Sequence, residues 1–341
     1  MKNNKMEQIK ETIGDSQTDR LQSNNQNGLI IGIGSGIAIY DYMYPLLKEM
    51  GFAYCVMDID AHYLDLSRSP ECDKLYLNGK NEEEKIFSEE VDMQTFDLPT
   101  VHLIKDKIKE TNSEVVYIMV YLGYEWTDLL VFETAKAAKE LGKIVVTIIA
   151  MPAKWEKIDD SIQAKNAISR MKPYVDTSFV FYRDTFEEDN PDIYEEFSPL
   201  ELATHTFKLP FTVINHIINQ KGFIIVDECD VKKIFKSGTF SAVGVGQSKQ
   251  SNRVSEMFTQ ILGSPFLEYL NREKCNLILL SFASSENNEI LMDEIEHFNQ
   301  LIKQHFGEET EIIVGMKYDN KLGEFAKIVC MFSFSEDAIY F

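Results

Sequence analysis

Between residues 29 and 182, apolar runs of strand length alternate with segments of helical spacing, and few folds satisfy that rhythm. The runs lie at 29–33, 53–58, 115–121, 144–150 and 178–182, and the helical segments at 37–50, 100–111, 128–141 and 160–172. Strands that are apolar throughout are covered on both faces, so the pattern predicts an α/β fold, a Rossmann-like parallel sheet between helices. Residues 1–28 are polar and rich in Asn and Gln, and are expected to form a flexible extension. One long, largely apolar helix is expected over 199–220. Beyond it the pattern mixes strands near 239–245, 276–283, 311–317 and 326–334 with helices near 251–262 and 288–305, which predicts a smaller α+β domain. The organisation read from the sequence is therefore an extension 1–28, an α/β domain 29–198, a central helix 199–220 and a C-terminal domain 221–341.

At 341 residues the chain exceeds what one hydrophobic core usually holds, consistent with two domains. Its formal charge of -21 repels polyanions, so neither nucleic acid nor direct membrane binding is expected. Five cysteines, Cys55, Cys72, Cys229, Cys275 and Cys330, lie far apart, and three sit in apolar runs as reduced core residues would. No Cys/His grouping has zinc spacing, so no metal site is expected. The longest apolar run, near 144–153, is far shorter than the ~20 residues that span a bilayer. The opening MKNNKMEQIKETIGD lacks the apolar stretch of a secretory signal, and a cytoplasmic location is the expectation.

Two motifs bear on chemistry. In LIIGIGSGIAIYDYM the first strand ends in Gly32, Gly34, Ser35 and Gly36 before a helix. Glycines there let backbone N–H groups approach a phosphate at the positive end of a helix, although any tight strand-to-helix corner also favours glycine. The next strand ends in VMDIDAHYLDL, which places Asp58 and Asp60 at the carboxyl edge of the sheet. An acid there accepts a ribose hydroxyl or caps the following helix.

Taken in order, the segments resemble the bacterial tubulin-like division GTPase family, FtsZ, along nearly the whole chain after residue 28. GIGSG resembles its GVGGGGGNAV phosphate loop and DIDAHYL its NTDAQAL segment; VVTIIAMPAKWE, DTSFVFYRDTF and GFIIVDECDVKKIF each have a counterpart. The most specific match is GVGQSKQSNRVSEMFTQILGSPFLE, which aligns without gaps to GTGxAxGExRAxEAAxxAIxSPLLE and shares Gly244, Gly246, Arg253, Ser264, Pro265 and Leu267.

The resemblance implies the tubulin/FtsZ fold, GTP or GDP as ligand with Mg2+ left open, and head-to-tail self-association into open filaments. It carries a ribose contact to Glu156 and, loosely, base contacts to Thr204 and His205. It carries water positioning at the subunit interface to Asp227 and Asp230, whose D-x-x-D spacing equally suits a helix N-cap.

The sequence departs from the family where a GGGTGTG loop should follow VVYIMVY. It reads LGYEWTDL instead, with Gly123 retained and Thr127 still able to reach a phosphate oxygen, while Tyr124 and Trp126 add bulk and Glu125 and Asp128 add charge. Each carboxylate near a triphosphate is unfavourable by ~1 kcal/mol at 4 Å even in bulk water. Asp160 stands where the family has a phosphate-side Arg, Ile225 where it has Asn, and NGKNEEEKIF replaces another glycine-rich loop. No linker or terminal peptide of the kind that binds membrane anchors follows the last strand, so a direct divisome role is not expected. The reading is an FtsZ-like GTP-binding, self-assembling protein with weak or lost hydrolysis. A non-nucleotide scaffold of the same fold and a Rossmann dinucleotide oxidoreductase remain the alternatives.

Overall fold

The structure is a computed structural model that describes residues 27–58, 64, 73–77, 101–153, 156–183, 199–219 and 222–340. Asp60, most of the 1–28 extension and the NGKNEEEKIF segment lie outside the described residues. Two compact units are distinguished. One comprises the described residues up to Ser178 with 182–207; the other comprises 179–181 and Lys208 onward.

The first unit holds β1 (Leu29–Ile33), β2 (Ala53–Asp58), β3 (Asp73–Tyr76), β4 (Val115–Tyr121) and β5 (Ile144–Met151), and shares β6 (Thr177–Tyr182), whose residues 179–181 count with the second unit. Their order is β3-β2-β1-β4-β5-β6. β1 pairs in parallel with β2 and β4, β2 with β3, and β4 with β5. Every residue of β1, β4, β5 and β6 is buried, as the unbroken apolar runs require for central strands. Helices α1 (Ile37–Glu49), α2 (Val101–Glu110), α3 (Glu125–Glu140) and α4 (Ile158–Met171) alternate with these strands. Asn27 and Gly28, expected in the extension, bond to the first unit: Asn27 Nδ2 donates to the Met50 carbonyl at 2.6 Å and the Ala53 N–H donates to the Gly28 carbonyl at 3.0 Å.

Helix α5 (Pro199–Ile218) contains the boundary between the units, after Phe207. The second unit continues with α6 (Glu228–Ser237), β7 (Phe240–Ser248), α7 (Arg253–Leu262), β8 (Cys275–Ser284), α8 (Met292–Phe306), β9 (Glu311–Tyr318) and β10 (Ala326–Phe334). Its strand order is β7-β10-β8-β9, with β10 antiparallel to both neighbours and β9 parallel to β8. Ile224 forms an isolated bridge with Met316, so the segment after α5 runs along the free edge of β9.

The glycines of the second-unit motif have a packing role. An added Cβ on Gly246 would lie 2.4 Å from the Met257 carbonyl oxygen, so only glycine lets α7 lie directly on β7. Arg253, at the start of α7, is buried and grips Glu294 through Nε (2.6 Å) and an Nη (2.7 Å), while reaching Asn288 Oδ1 at 2.9 Å. That bidentate pair fixes α7 to the start of α8. Phe258, Phe282 and Phe298 fill the space beneath it with edge-to-face contacts.

Candidate nucleotide site

Because β1, β2, β4 and β5 are parallel, their C-terminal ends share one edge of the sheet, where doubly wound folds hold ligands. The sequence brings a different chemistry to each end.

At the end of β1, residues Gly34–Gly36 form one turn of 3-10 helix leading directly into α1. Gly34 has φ +77°, and a Cβ added to it would stand 2.9 Å from Thr127 Oγ1, so the glycine turn and Thr127 touch. The other two glycines answer to a residue that the sequence reading did not single out, Tyr40. Its ring lies 2.4 Å from where a Gly32 Cβ would be, and its hydroxyl 2.6 Å from that of Gly36. Tyr40 is fully buried, with its hydroxyl 3.1 Å from the Met119 carbonyl and 3.3 Å from that of Ile33. Burial first, then the phenol of Tyr121 and the carboxylate of Asp58, hold its pKa well above the ordinary value. Asp58, at the end of β2, is itself buried. The side chain of Ser35 is not described.

After β4 the backbone turns through Leu122, Gly123 and Tyr124, and α3 starts at Glu125, three residues before the expected 128. The stretch that would be a glycine loop is therefore the first turn of a helix. Gly123, at φ +100°, is packed so closely on Pro152 that an added Cβ would meet its Cγ at 2.8 Å. Asp128, six per cent exposed, folds back over the turn: its Oδ1 accepts from the Gly123 N–H at 3.2 Å and its Oδ2 accepts from Gln163 Nε2 at 2.9 Å. The start of α3 has no side-chain cap, and neither has the start of α1.

Glu156, after β5, accepts from the Ala153 N–H through Oε1 and pairs with the Arg183 guanidinium through Oε2. Arg183 lies 5.5 Å from the Tyr121 ring centroid and 6.0 Å from that of Tyr124. Burial raises the Tyr121 pKa, and Arg183 partly opposes it. Tyr124 is 45% exposed and Trp126 is half-buried. Arg183 went unsingled in the sequence because its partner stands 27 positions earlier; the signal available was a lone Arg directly after a strand.

Among the remaining expected contacts, Thr204 and His205 are both half-buried on α5. Phe207 of that helix packs on Tyr40 (5.9 Å) and Tyr121 (5.2 Å). Thr204, three residues away, shares its face, whereas His205 is about 200° round the helix. Asp227 and Asp230 belong to the second unit. There they form a reciprocal capping box on α6: Asp227 Oδ1 accepts from the Cys229 and Asp230 N–H groups at 2.8 and 3.3 Å, and Asp230 Oδ2 accepts from the Asp227 N–H at 3.0 Å. No group of three or more His, Cys, Asp or Glu among the described residues is arranged to hold a metal. No helix among them is long and apolar enough to cross a membrane.

Comparison with known proteins gives a consistent picture. Residues 239–333 match the family model described as FtsZ family, C-terminal domain. Cell division protein FtsZ 1 of Thermococcus kodakarensis is 26% identical over 203 residues, which is 57% of this chain and 51% of that protein. The chain thus spans about half the length of that curated relative. Among solved structures, an FtsZ dimer of M. jannaschii, described as empty, superposes with a TM-score of 0.68 at 20% identity, over 92% of this chain and 89% of that one. CetZ2 from Haloferax volcanii, solved as a GTPγS-bound protofilament, gives 0.69 at 14% identity over 92% and 94%. Residues 239–333 are thus an FtsZ-type C-terminal domain, and the chain has the α/β fold of the FtsZ and CetZ structures.

Proposed function

We propose that this protein binds GTP or GDP at the C-terminal edge of the first sheet, stacks head to tail with copies of itself in the cytoplasm, and hydrolyses GTP weakly or not at all. The observation that carries the reading is the Gly34–Gly36 turn: it stands against Thr127, with an uncapped helix start on either side. Helix N-termini carry positive partial charge, so two helix starts without a side-chain cap favour an anion there, which fits the phosphates of a nucleotide. In this reading Thr127 adds a hydroxyl, Glu156 and Asp58 serve as acceptors for the ribose, and Thr204 contacts the base.

The second loop fits less well, and this supports the weak-hydrolysis half of the reading. The Gly123 N–H is already bonded to the buried Asp128 carboxylate, so a terminal phosphate would meet a negative charge where the family offers amides. Asp227 and Asp230 use one oxygen each in capping and leave Asp227 Oδ2 and Asp230 Oδ1 to orient water for a neighbouring copy. Just before them Phe223, Ile224 and Ile225 are 56%, 43% and 67% exposed, an apolar run suited to burial against that copy. The GTPγS-bound CetZ2 protofilament supports the same mode of association.

The test is incubation of the purified chain with labelled GTP followed by sedimentation. Bound label and a sedimentable polymer are expected, with phosphate release slow or nil; neither binding nor polymer would remove the reading. The Glu156–Arg183 pair favours a second reading, a scaffold whose site is closed by its own side chains. That reading expects no nucleotide to be released when the purified protein is denatured.

A further inference from the structure

Cations partly withdrawn from water are costly unless an anion pairs with them, and the second unit holds three half-buried basic groups together with no ion-pair partner among the described residues. Lys327 of β10 and Lys317 of β9 are both in register with Ala283 of β8, so they stand in one row of the sheet and project to the same face. Two strand spacings separate their backbones by about 10 Å, and the residue between them is only an alanine. From α5, His216 brings Nδ1 to 3.4 Å from Lys317 Nζ. The other ring nitrogen, Nε2, is buried and has no hydrogen-bond partner.

The acids nearby do not neutralise the group. Asp319, at the end of β9, is the carboxylate whose field reaches both lysines, yet its Oδ1 caps the next turn by accepting from the Lys321 N–H at 3.1 Å. It forms no ion pair with Lys317 or Lys327. The electrostatic consequence is consistent: burial, followed by repulsion from Lys327, brings Lys317 down to about 8, with Asp319 opposing. Burial lowers Lys327 as well, and burial with the two lysines lowers His216. In a chain of formal charge -21, two ammonium groups and an imidazole are thus gathered on one sheet face with no ion pair among the described residues.

We infer that Lys317, Lys327 and His216 form a binding site for a small oxyanion, a phosphate or a carboxylate, on the face of the second sheet that faces α5. A tetrahedral or planar oxyanion would accept from the two ammonium groups and from the imidazole, and so supply the missing charge. This site lies in the second unit and does not depend on nucleotide binding in the first.

The full chain is melted in inorganic phosphate and, separately, in acetate, each against sodium chloride at equal ionic strength. The wild type is expected to show a saturable rise of a few degrees in Tm with at least one oxyanion, and the arm that responds identifies a phosphate or a carboxylate as the occupant. In K317M/K327M the rise is expected to vanish, while its Tm in chloride equals or exceeds that of the wild type because repulsion has been removed. The single variant K327M should lose most of the rise and serves if the double variant is not folded. A rise that persists in these variants belongs to another site and overturns the inference, as does the absence of any rise in the wild type.

Discussion

The N–H of Gly123 donates to Oδ1 of Asp128 at 3.2 Å, closing the turn after β4 with a carboxylate from within the next helix. An acid that looks merely repulsive in the sequence is thus a structural element of the loop, with Gln163 holding its second oxygen. Asp128→Asn keeps an acceptor for Gly123 and removes the charge. On the proposed nucleotide reading, affinity for a fluorescent GTP analogue should rise about fivefold, the equivalent of ~1 kcal/mol of relieved repulsion. Unchanged or weaker binding in a folded variant would show that the charge does not face the ligand.

Gly36→Ala should destabilise the first unit by about 1–3 kcal/mol, because its Cβ would stand 2.6 Å from the buried Tyr40 hydroxyl and 3.0 Å from the Tyr121 ring. Adding Tyr40→Phe removes the clashing oxygen and should recover part of that loss in urea unfolding. Additive losses would mean that the ring carbon bearing the hydroxyl, also 2.6 Å from that Cβ, carries the clash.

Arg253→Met should cost roughly 1–3 kcal/mol, since it leaves the half-buried Glu294 carboxylate without its bidentate partner beside α7. Arg253→Lys should recover little, because an ammonium cannot reproduce the fork that reaches Glu294 and Asn288 together. Chemical denaturation of the two variants against the wild type decides between a geometric and a purely charged role.

Stability should rise with pH across the range in which Lys317 titrates. The unfolded lysine holds its proton up to 10.5 and the folded one releases it near 8, so between those values the unfolded state binds more protons. His216 works in the same direction below 6.5. The groups facing Lys317 are His216 from α5, Lys327 from β10 and Asp319 beyond β9. The difference in urea midpoint between wild type and K317M, followed from pH 7.5 to 10, should narrow as pH rises. A constant difference would place the Lys317 pKa near its ordinary value.

The sequence was most legible where one residue type dominates a whole element. The strands expected at 29–33, 53–58 and 115–121 are β1, β2 and β4 to the residue, because central parallel strands leave no room for polar interruptions. β3, Asp73–Tyr76, gave no such signal: it is a short edge strand with mostly exposed side chains. The glycine corner after β1 was readable as a possible phosphate turn, but Tyr40, which explains two of its glycines, could not be paired with them without the fold. Asp227 and Asp230 were readable as a cap because capping is local, and the box is present. Arg183 and Glu156 meet only through tertiary structure, and neither position hints at the other.

The bridge between Ile224 and Met316 stitches the segment leading to Asp227 onto the rim of β9, one residue from Lys317. That segment is consequently a stiff tether and not slack cord. A displacement of Ile224 would pass to Met316 through their two backbone hydrogen bonds, so the acids that cap α6 and the basic row beside Ala283 would feel the same pull.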